Sequence, residues 1–240
     1  MPQAFLFIRA LIFTALLLLL GAGVAYRGLP AAAERARVVP PPVLDEPASA
    51  TSEMAVLAGG CFWGVQGVFQ HADGVTGAVA GYAGGAKDAA QYETVSSGTT
   101  GHAESVQITF DPHRISYGRI LQVFFSVAHN PTELNRQGPD VGSQYRSAIF
   151  PANAEQAHIA EAYIAQLNQA HLFPDAIVTK VETGQQFFRA EPYQQNYLTL
   201  HPTEYYIAIN DLPKLAELEH LFPQLYRPKP VLVAAAQLTN

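Results

Sequence analysis

Hydrophobic and polar positions divide the chain into an apolar start, a proline-rich stretch and a long region of mixed periodicity. The start is apolar or small from about residue 4 to residue 26, a length between that of a signal-peptide core and that of a membrane-spanning helix. We therefore predict a signal peptide or transmembrane anchor at 1–27. Prolines and alanines dominate 28–52 and predict an extended linker. The periodic region 53–227 predicts one folded domain, which is followed by a tail at 228–240.

Short apolar runs and alternating patterns predict the strands of this domain. Residues 54–58 are an apolar run that ends in Gly59-Gly60, which predicts a buried strand followed by a sharp turn. The stretch from Val106 to Phe110 alternates apolar and polar residues, as in a half-buried strand. The same criteria predict further strands at 75–82, 147–150, 176–181 and 205–209.

Apolar residues spaced three or four apart predict the helices. Residues 61–70 form one such pattern, and 120–127 form a second. Asn153, with a glutamine three residues later, is typical of a capping box and predicts a helix over 153–170. A last helix is predicted at 211–222, because a proline in the first turn of a helix is tolerated.

The order of these elements predicts the fold. Between Met54 and Phe150 the order is β-α-β-β-α-β, which is that of a split βαβ unit. We therefore predict an α+β fold with a two-layer, ferredoxin-like core, in which helices pack on a mixed sheet and a long irregular C-terminal portion follows. Such a fold does not by itself indicate a reaction.

The composition excludes some classes of protein and some kinds of site but does not identify the function. The formal net charge of -6 lacks the basic surplus of a nucleic-acid-binding protein, so we expect no nucleic-acid partner. A single cysteine excludes an intramolecular disulfide and a cysteine-rich zinc site. The eight histidines are scattered and form no HExxH pair, so we expect no metal.

The single cysteine, Cys61, stands where a predicted strand turns into a predicted helix. Unpaired N–H groups and the helix dipole stabilise negative charge at a helix N-terminus. We therefore expect Cys61 to ionise more readily than a free thiol and to act as a nucleophile. The neighbouring Phe62 and Trp63 are expected to wall a small apolar pocket. The alternatives are a buried structural cysteine and aromatic side chains that only fill the core.

The residues around Cys61 carry a resemblance to a known family. Residues 60–64 read Gly-Cys-Phe-Trp-Gly, which resembles the signature of the A-type methionine sulfoxide reductases. The resemblance covers about Met54 to Tyr226, the whole predicted domain. Three further stretches are similar to the family: 81–104 with Tyr92 and the run Thr-Gly-His-Ala-Glu, 134–147 with Asp140 and Tyr145, and 191–197 with Glu191 and Tyr197.

The resemblance implies thiol-dependent reduction of methionine sulfoxide, specifically of its S epimer, in oxidised proteins or as the free amino acid. In the family the cysteine thiolate, here Cys61, attacks the sulfoxide sulfur and becomes a sulfenic acid while methionine leaves. Glu104 matches the acid that protonates the oxygen, since a carboxyl among apolar side chains holds its proton near neutral pH. Phe62 and Trp63 match the pocket for the methyl group of the substrate.

Three polar side chains complete the implied site. Tyr92 and Tyr145 match the tyrosines whose hydroxyls hold the sulfoxide oxygen, and Asp140 matches the aspartate that supports them. The chain departs from the family pattern at three positions that have no assigned role, namely Asn130, Pro139 and Gln194.

The cysteine count also predicts how such an enzyme is recycled. Many members of the family carry later resolving cysteines, and this chain has none. A sulfenic acid on Cys61 is therefore expected to be reduced by an external thiol, such as thioredoxin, glutaredoxin or glutathione. We expect no bound cofactor and a monomer. We also expect export to the periplasm or another extracytoplasmic space, with the N-terminal segment either cleaved or anchored in the membrane.

Two other functions are compatible with parts of the sequence. A cysteine hydrolase would need a general base and an orienting residue near Cys61, and the candidates are His102 and Asn135. A membrane-tethered binding module would use Phe62, Trp63 and the tyrosines as a peptide groove and would not need the thiol. Turnover that consumes a reductant in response to a sulfoxide would exclude the hydrolase, and loss of function in Cys61→Ser would exclude the binding module.

Overall fold

The core of the molecule is one mixed sheet. The computed structural model describes residues 36–48 and 50–234. Its strands are β1 (Glu53–Gly59), β2 (Val75–Ala83), β3 (Ala103–Phe110), β4 (Arg136–Gln137), β5 (Asp140–Val141), β6 (Ser147–Phe150), β7 (Lys180–Val181) and β8 (Phe187–Arg189). Within this part of the chain, six strands form a sheet in the order β7-β6-β1-β3-β2-β8, and β4 pairs with β5 in a separate hairpin.

The four central strands have the predicted split βαβ arrangement. β3 lies between β1 and β2 and is antiparallel to both, and β6 is antiparallel to β1. β7 pairs in parallel with β6, which makes the sheet mixed. Val106 and Ile108 of the central β3 have no exposed surface, so the alternating pattern marks the core as expected. The prediction of an α+β, ferredoxin-like core is confirmed.

Helices pack on this sheet and against one another. They are α1 (Phe62–Gln70), α2 (Tyr92–Val95), α3 (Tyr117–Val123), α4 (Ala154–Gln169), α5 (Tyr197–Leu200) and α6 (Leu212–Leu221). α3 continues into a π-helical turn at Phe124–Ala128, and a second π-helical turn, Ile207–Asp211, precedes α6. α1 packs on β2 on one side and against α5 and α6 on the other, so it lies between the sheet and these two helices.

The predicted capping box at the start of α4 is present in a shifted form. Asn153 Oδ1 accepts a hydrogen bond from the Gln156 N–H at 2.8 Å. Gln156 Oε1 in turn accepts from the Ala152 N–H at 3.1 Å, one residue before the capping residue itself. The helix ends at Gln169, so both of its ends lie within one residue of the prediction.

The strand predicted at 205–209 is wrong. This stretch is helical and leads through the π-helical turn into α6. Its aromatic and β-branched residues favour a strand locally, but the fully buried positions over 205–211 are Ile207 and Asp211. Those two residues are four apart, as on one face of a helix, so tertiary packing overrides local propensity. The strand predicted at 176–181 is confirmed only at its end, where β7 forms.

Part of the predicted linker packs on the domain. Val39 is fully buried, and its N–H donates to Ser126 Oγ at 3.1 Å. The hydroxyl of Tyr163 donates to the Pro40 carbonyl oxygen at 2.6 Å. Residues 36–48 contain no helix or strand, as an extended linker would. Their contacts show that the packed unit begins before the predicted domain boundary.

The two ends of the chain differ in what the structure describes. The predicted signal peptide or anchor, residues 1–27, lies outside the described residues. Over 36–48 and 50–234, no helix combines the length and apolarity needed to cross a membrane. At the other end the tail is in contact with the domain, because the Val233 N–H donates to Asn196 Oδ1 at 2.9 Å.

Candidate active site

Two glycines turn the chain from β1 into α1 and present Cys61 at the start of the helix. Gly60 has a φ of +89°, in the left-handed region that favours glycine. A Cβ at this position would stand 2.5 Å from Gln137 Cγ, so the β4–β5 hairpin packs directly against the turn. Cys61 caps α1 and is 7% exposed. The predicted strand, turn and helix around the cysteine are therefore present.

Burial governs the ionisation of Cys61. Loss of contact with water raises the pKa of the thiol well above its ordinary value, and the negative charges of Glu104 and Asp211 raise it further. The Trp63 N–H and the positive charge of Lys214 lower the pKa but do not outweigh burial. The expectation that Cys61 ionises more readily than a free thiol is therefore wrong, because desolvation exceeds the effect of the helix terminus.

Glu104 lies on β3, and its carboxyl group faces the start of α1. Its Oε2 accepts a hydrogen bond from the Phe62 N–H at 3.0 Å. The residue is 2% exposed, and burial raises its pKa to about 8 even though the bond from Phe62 lowers it. Negative charge on Asp140 and Asp211 adds to the rise. Glu104 therefore holds its proton at neutral pH, as its predicted apolar surroundings require.

Aromatic rings form walls beside the thiol. The Phe62 ring packs against Tyr82 and Tyr92, with centroid distances of 5.9 and 6.5 Å. The Trp63 ring stacks on Tyr197 with a centroid distance of 3.9 Å and an interplanar angle of 11°. Phe62 is buried in the core, whereas Trp63 is only partly buried. Phe62 thus belongs to the inner wall and Trp63 to the outer one.

The other predicted residues converge on the same place. Asp140 opens β5, Tyr145 ends the short 3-10 helix before β6 and Tyr92 opens α2, and all three are partly exposed. Burial raises the pKa of Tyr92 to about 12, and the charges of Glu104 and Cys61 add to the rise. Burial also raises the pKa of Tyr145, again with contributions from Glu104, Asp140 and Cys61. Both hydroxyls therefore respond to the charges of the thiol and the carboxyl.

Glu191 hydrogen-bonds to two sides of the site, although the sequence assigned it no role. Its Oε2 accepts from the Tyr82 hydroxyl at 2.8 Å, and its Oε1 accepts from the Tyr92 N–H at 2.9 Å. Tyr82 lies opposite Glu104 in the pairing of β2 with β3. The only signal for Glu191 was its place in a matched motif, because its partners are 109 and 99 residues away.

Two residues of the C-terminal portion that sequence reasoning missed complete the wall around Trp63. Gln194 Oε1 accepts a hydrogen bond from Trp63 Nε1 at 2.8 Å, which orients the indole. The ring of Tyr206 meets Trp63 edge-on with a centroid distance of 5.9 Å, and its hydroxyl donates to Asp140 Oδ2. Gln194 is one of the departures from the family pattern to which the sequence assigns no role, and Tyr206 lies in the stretch wrongly predicted as a strand.

A buried ion pair lies behind the first turn of α1. Asp211 is fully buried, and its Oδ1 lies 3.2 Å from Lys214 Nζ. A Cβ on Gly64 would stand 2.1 Å from that oxygen, so the pair packs directly on the helix. Burial raises the pKa of Asp211, and the charge of Lys214 opposes the rise. The pair therefore acts on the thiol in opposite directions, since Asp211 raises the pKa of Cys61 and Lys214 lowers it.

The arrangement proposed for a cysteine hydrolase is absent. His102 Nδ1 accepts from the Gly85 N–H at 3.2 Å, and Nε2 meets the Ala86 carbonyl oxygen at 2.9 Å. Both ring nitrogens are thus engaged by backbone groups, and neither is free to take a proton from Cys61. The carbonyl of Asn135 accepts from the Gly142 N–H, which makes Asn135 part of the hairpin.

Together the groups around Cys61 suit a neutral, polarised substrate with a small apolar substituent. The thiol supplies a nucleophile, and the protonated Glu104 supplies an acid. The hydroxyls of Tyr92 and Tyr145 can donate hydrogen bonds to an oxygen, and the aromatic walls can accept an apolar group. Among the described side chains, no group of three or more His, Cys, Asp or Glu is arranged to hold a metal ion.

Comparison with known proteins gives an independent view of the chain. Residues 53–225 match the model of a family described as peptide methionine sulfoxide reductase. A relative from Mesorhizobium japonicum, peptide methionine sulfoxide reductase MsrA 2, is 63% identical over 193 residues, which cover 80% of this chain and 99% of the relative. A relative of the same name from Synechocystis sp. is 46% identical over 190 residues, which cover 78% of this chain and 89% of the relative.

Solved structures share the fold. Methionine sulfoxide reductase A of Corynebacterium diphtheriae is 30% identical with a TM-score of 0.55, and the match covers 74% of this chain and 93% of that one. Reduced Mxr1 from Saccharomyces cerevisiae is 28% identical with a TM-score of 0.58, and the match covers 68% of this chain and 93% of that one. The similarity thus extends over most of each solved chain.

Proposed function

The chain belongs to the peptide methionine sulfoxide reductase family, and we therefore propose that it reduces methionine sulfoxide to methionine with thiols as the electron donors. The substrate is the sulfoxide side chain in oxidised proteins or the free amino acid. One observation supports this function above all others: Cys61, which caps α1, shares its buried surroundings with Glu104, a carboxyl that keeps its proton at neutral pH. A sulfoxide needs this combination, because its sulfur is attacked while its oxygen is protonated.

The first step oxidises Cys61 and reduces the substrate by two electrons. The Cys61 thiolate attacks the sulfoxide sulfur, and Glu104 delivers a proton to the sulfoxide oxygen as the S–O bond breaks. The oxygen then bonds to the Cys61 sulfur as the transient sulfur–sulfur bond breaks, which leaves a sulfenic acid on the enzyme and a thioether on the substrate. Overall, a thiol and a sulfoxide give a sulfenic acid and a thioether, so atoms and electrons balance without a further reactant.

The reactive form of the site contains one proton shared between Cys61 and Glu104. Burial raises the pKa of both groups, and the negative charge of Glu104 raises that of Cys61 further, so the two groups compete for the proton that remains after the first is lost. Transfer of this proton from Cys61 to Glu104 creates the nucleophile and the acid together and leaves the net charge of the site unchanged. The high pKa of the thiol is therefore compatible with catalysis.

The walls of the site orient the substrate. We assign the methyl group on sulfur to the surface formed by Phe62 and Trp63, and the oxygen to the hydroxyls of Tyr92 and Tyr145. Asp140 supports this polar set. The methyl group, the oxygen and the attacking thiol each have a fixed place around the sulfoxide sulfur. Only one of the two configurations at that sulfur fits all three places. Since the matched motifs are those of the A type, we expect the S epimer to be the substrate.

Turnover requires a thiol from outside the chain. Cys61 is the only cysteine in the sequence, so no second thiol of the same chain can condense with its sulfenic acid. An incoming thiol, from glutathione or from a protein of the glutaredoxin or thioredoxin class, forms a mixed disulfide with Cys61 and releases water. A second thiol then opens this disulfide and restores Cys61.

Export from the cytoplasm is proposed on the sequence alone. It rests on the apolar run at 4–26 and the proline-rich stretch that follows, of which the first lies outside the described residues. The test is the mass of the mature N-terminus, together with digestion of intact cells by an external protease. Recovery of the full-length chain from the cytosol would contradict export.

The function is tested by offering methionine sulfoxide with dithiothreitol as the electron donor. The purified protein should release methionine from the S diastereomer over many turnovers, and Cys61→Ser should release none. Activity in Cys61→Ser would contradict the mechanism, and comparable turnover of both purified diastereomers would contradict the epimer assignment. The melting temperature of Cys61→Ser should match that of the wild type, which separates loss of chemistry from loss of fold.

A further inference from the structure

Tyr206 contacts two elements of the site that are far apart in the chain. Its hydroxyl donates a hydrogen bond to Oδ2 of Asp140, a residue 66 positions earlier. Its ring meets Trp63 edge-on, with a centroid distance of 5.9 Å and an interplanar angle of 83°. The side chain is half-buried and stands at the start of the π-helical turn that leads into α6. It therefore joins the β4–β5 hairpin to the start of α1.

The hairpin that carries Asp140 has little regular structure to hold it. Its two strands contain two residues each, and a Cβ on Gly138 at its tip would have no atom within 4 Å. Val141, next to Asp140, is 70% exposed. A carboxylate on such a hairpin needs a side-chain partner to keep a fixed position, and the Tyr206 hydroxyl is a partner of this kind.

The bond from Tyr206 also bears on the charge of Asp140. Burial raises the pKa of Asp140, whereas the bond from Tyr206 and the charge of Lys214 lower it. Tyr206 thus favours the ionised form of Asp140. Negative charge on Asp140 is in turn one of the factors that raise the pKa of Glu104, after burial. Tyr206 therefore contacts Asp140 directly, and Asp140 in turn acts on Glu104 through its charge.

We propose that Tyr206 is a positioning residue of this active site, whose hydroxyl fixes the Asp140 carboxylate and whose ring edge supports Trp63. The inference rests on the proposed function, because the residues that Tyr206 positions are those assigned to the sulfoxide. The two contacts have different consequences. The hydroxyl acts on the chemical step through Asp140, and the ring acts on substrate binding through Trp63.

Two substitutions separate these effects, and a neighbour provides the control. Tyr206→Phe removes the hydroxyl and keeps the ring, whereas Tyr206→Leu removes both. The control is Tyr205→Phe, because Tyr205 is adjacent in the chain but 82% exposed. The measurement is the rate of methionine release in a single turnover without reductant, as a function of sulfoxide concentration. Melting temperatures are recorded for every variant.

Tyr206→Phe should lower the maximal single-turnover rate by roughly tenfold to hundredfold, the loss expected for a hydrogen bond to a charged group. The sulfoxide concentration for half-saturation should stay within about twofold of the wild-type value, since the ring is retained. Tyr206→Leu should lower the rate and also raise that concentration. Tyr205→Phe should behave as the wild type. In an Asp140→Ala background, Tyr206→Phe should have no further effect, because its target is gone.

Three results would overturn the assignment while leaving the proposed function intact. One is a Tyr206→Phe rate within twofold of an active wild type. The second is a loss that persists in full in the Asp140→Ala background, and the third is a Tyr206→Phe protein that does not fold, since Tyr206 would then be a structural residue. A wild-type protein that releases no methionine would overturn the proposed function and this inference with it.

Discussion

The active site has two sides that are held in different ways. One side is the frame, which consists of the β1–α1 turn with Cys61 and of β3 with Glu104. Backbone pairing fixes it, because β3 has a paired strand on either side. The other side is the C-terminal wall, residues 191–211, which supplies Gln194, Tyr197 and Tyr206. It contains only short helical segments and no strand of the sheet.

Buried side-chain amides hold the C-terminal wall against α1 and β2. The side chain of Gln195 accepts from the Ala80 N–H at 3.0 Å and donates to the Ala80 carbonyl oxygen at 2.9 Å, as a neighbouring strand would. Gln66 Nε2 donates to Gln195 Oε1 at 2.9 Å, and Gln66 Oε1 accepts from the Asn196 N–H at 2.8 Å. Gln70, one turn along α1, donates to Asn196 Oδ1 at 2.8 Å.

The two sides of the site tolerate substitution differently. A side chain on the frame can be exchanged while the backbone pairing keeps its neighbours in place. The C-terminal wall depends on a few amides that are buried and satisfied, and a buried polar group that loses its partner costs more than the bond itself contributes. Substitutions in the frame should therefore affect chemistry, whereas substitutions in the amide network should affect stability and binding together.

Apart from loss of the Cys61 thiol itself, the largest effect is expected from Glu104→Gln in the frame. The amide keeps the size of the side chain but cannot deliver the proton to the sulfoxide oxygen. The single-turnover rate of methionine release should fall by roughly 10²- to 10⁴-fold, the usual contribution of a general acid, with little change in melting temperature. The matched control is Glu93→Gln, because Glu93 is exposed next to Tyr92. A Glu104→Gln rate equal to the wild-type rate would assign the proton to another donor.

The pH dependence of the single-turnover rate tests the roles of Cys61 and Glu104 in the frame. Burial raises the pKa of Glu104 to about 8 and that of Cys61 well above its ordinary value. Below pH 8 the pair holds two protons, and the reactive form holds one. The rate should therefore rise roughly tenfold per pH unit up to about pH 8 and then level off. The Glu104→Gln variant should lack this change of slope near pH 8. A variant that retains it would contradict the assignment of Glu104 as the acid.

A smaller effect, of a different kind, is expected from Gln195→Leu in the amide network. Leucine fills a similar volume but leaves the Ala80 N–H without a partner and removes one of the two acceptors of Gln66 Nε2, the other being the Ala78 carbonyl oxygen. The free energy of unfolding should fall by about 1–3 kcal/mol for each group left unsatisfied. The sulfoxide concentration for half-saturation should rise several-fold, since the wall around Trp63 loosens. Thermal melts and single-turnover kinetics measure both effects.

The control for this substitution is Gln185→Leu, because Gln185 is exposed on the segment before β8. It should change neither the melting temperature nor the kinetics appreciably. If Gln195→Leu slowed the maximal rate as strongly as Glu104→Gln while binding stayed normal, the division between a chemical frame and a binding wall would be wrong.

The same division decides how much could be predicted from the sequence. Cys61 and Glu104 carry local signals, namely a glycine turn before a helix and a motif at the start of an alternating strand. Gln195 and Glu191 act on residues more than ninety positions away, so no local pattern shows their contacts. The pKa of Cys61 was predicted in the wrong direction for a related reason. The helix terminus is visible in the sequence, whereas burial and the charge of Asp211 arise only in the folded chain.

The central claim, that Cys61 takes the oxygen from the sulfoxide, is tested most directly by a single turnover without any reductant. The wild-type protein should release one methionine per chain, and mass spectrometry should then find Cys61 labelled by dimedone, a reagent for sulfenic acids. Addition of glutathione to the unlabelled product should give a chain heavier by one glutathione on the same residue. Methionine release with a dimedone-silent Cys61, or a disulfide-linked dimer as the main product, would contradict this account.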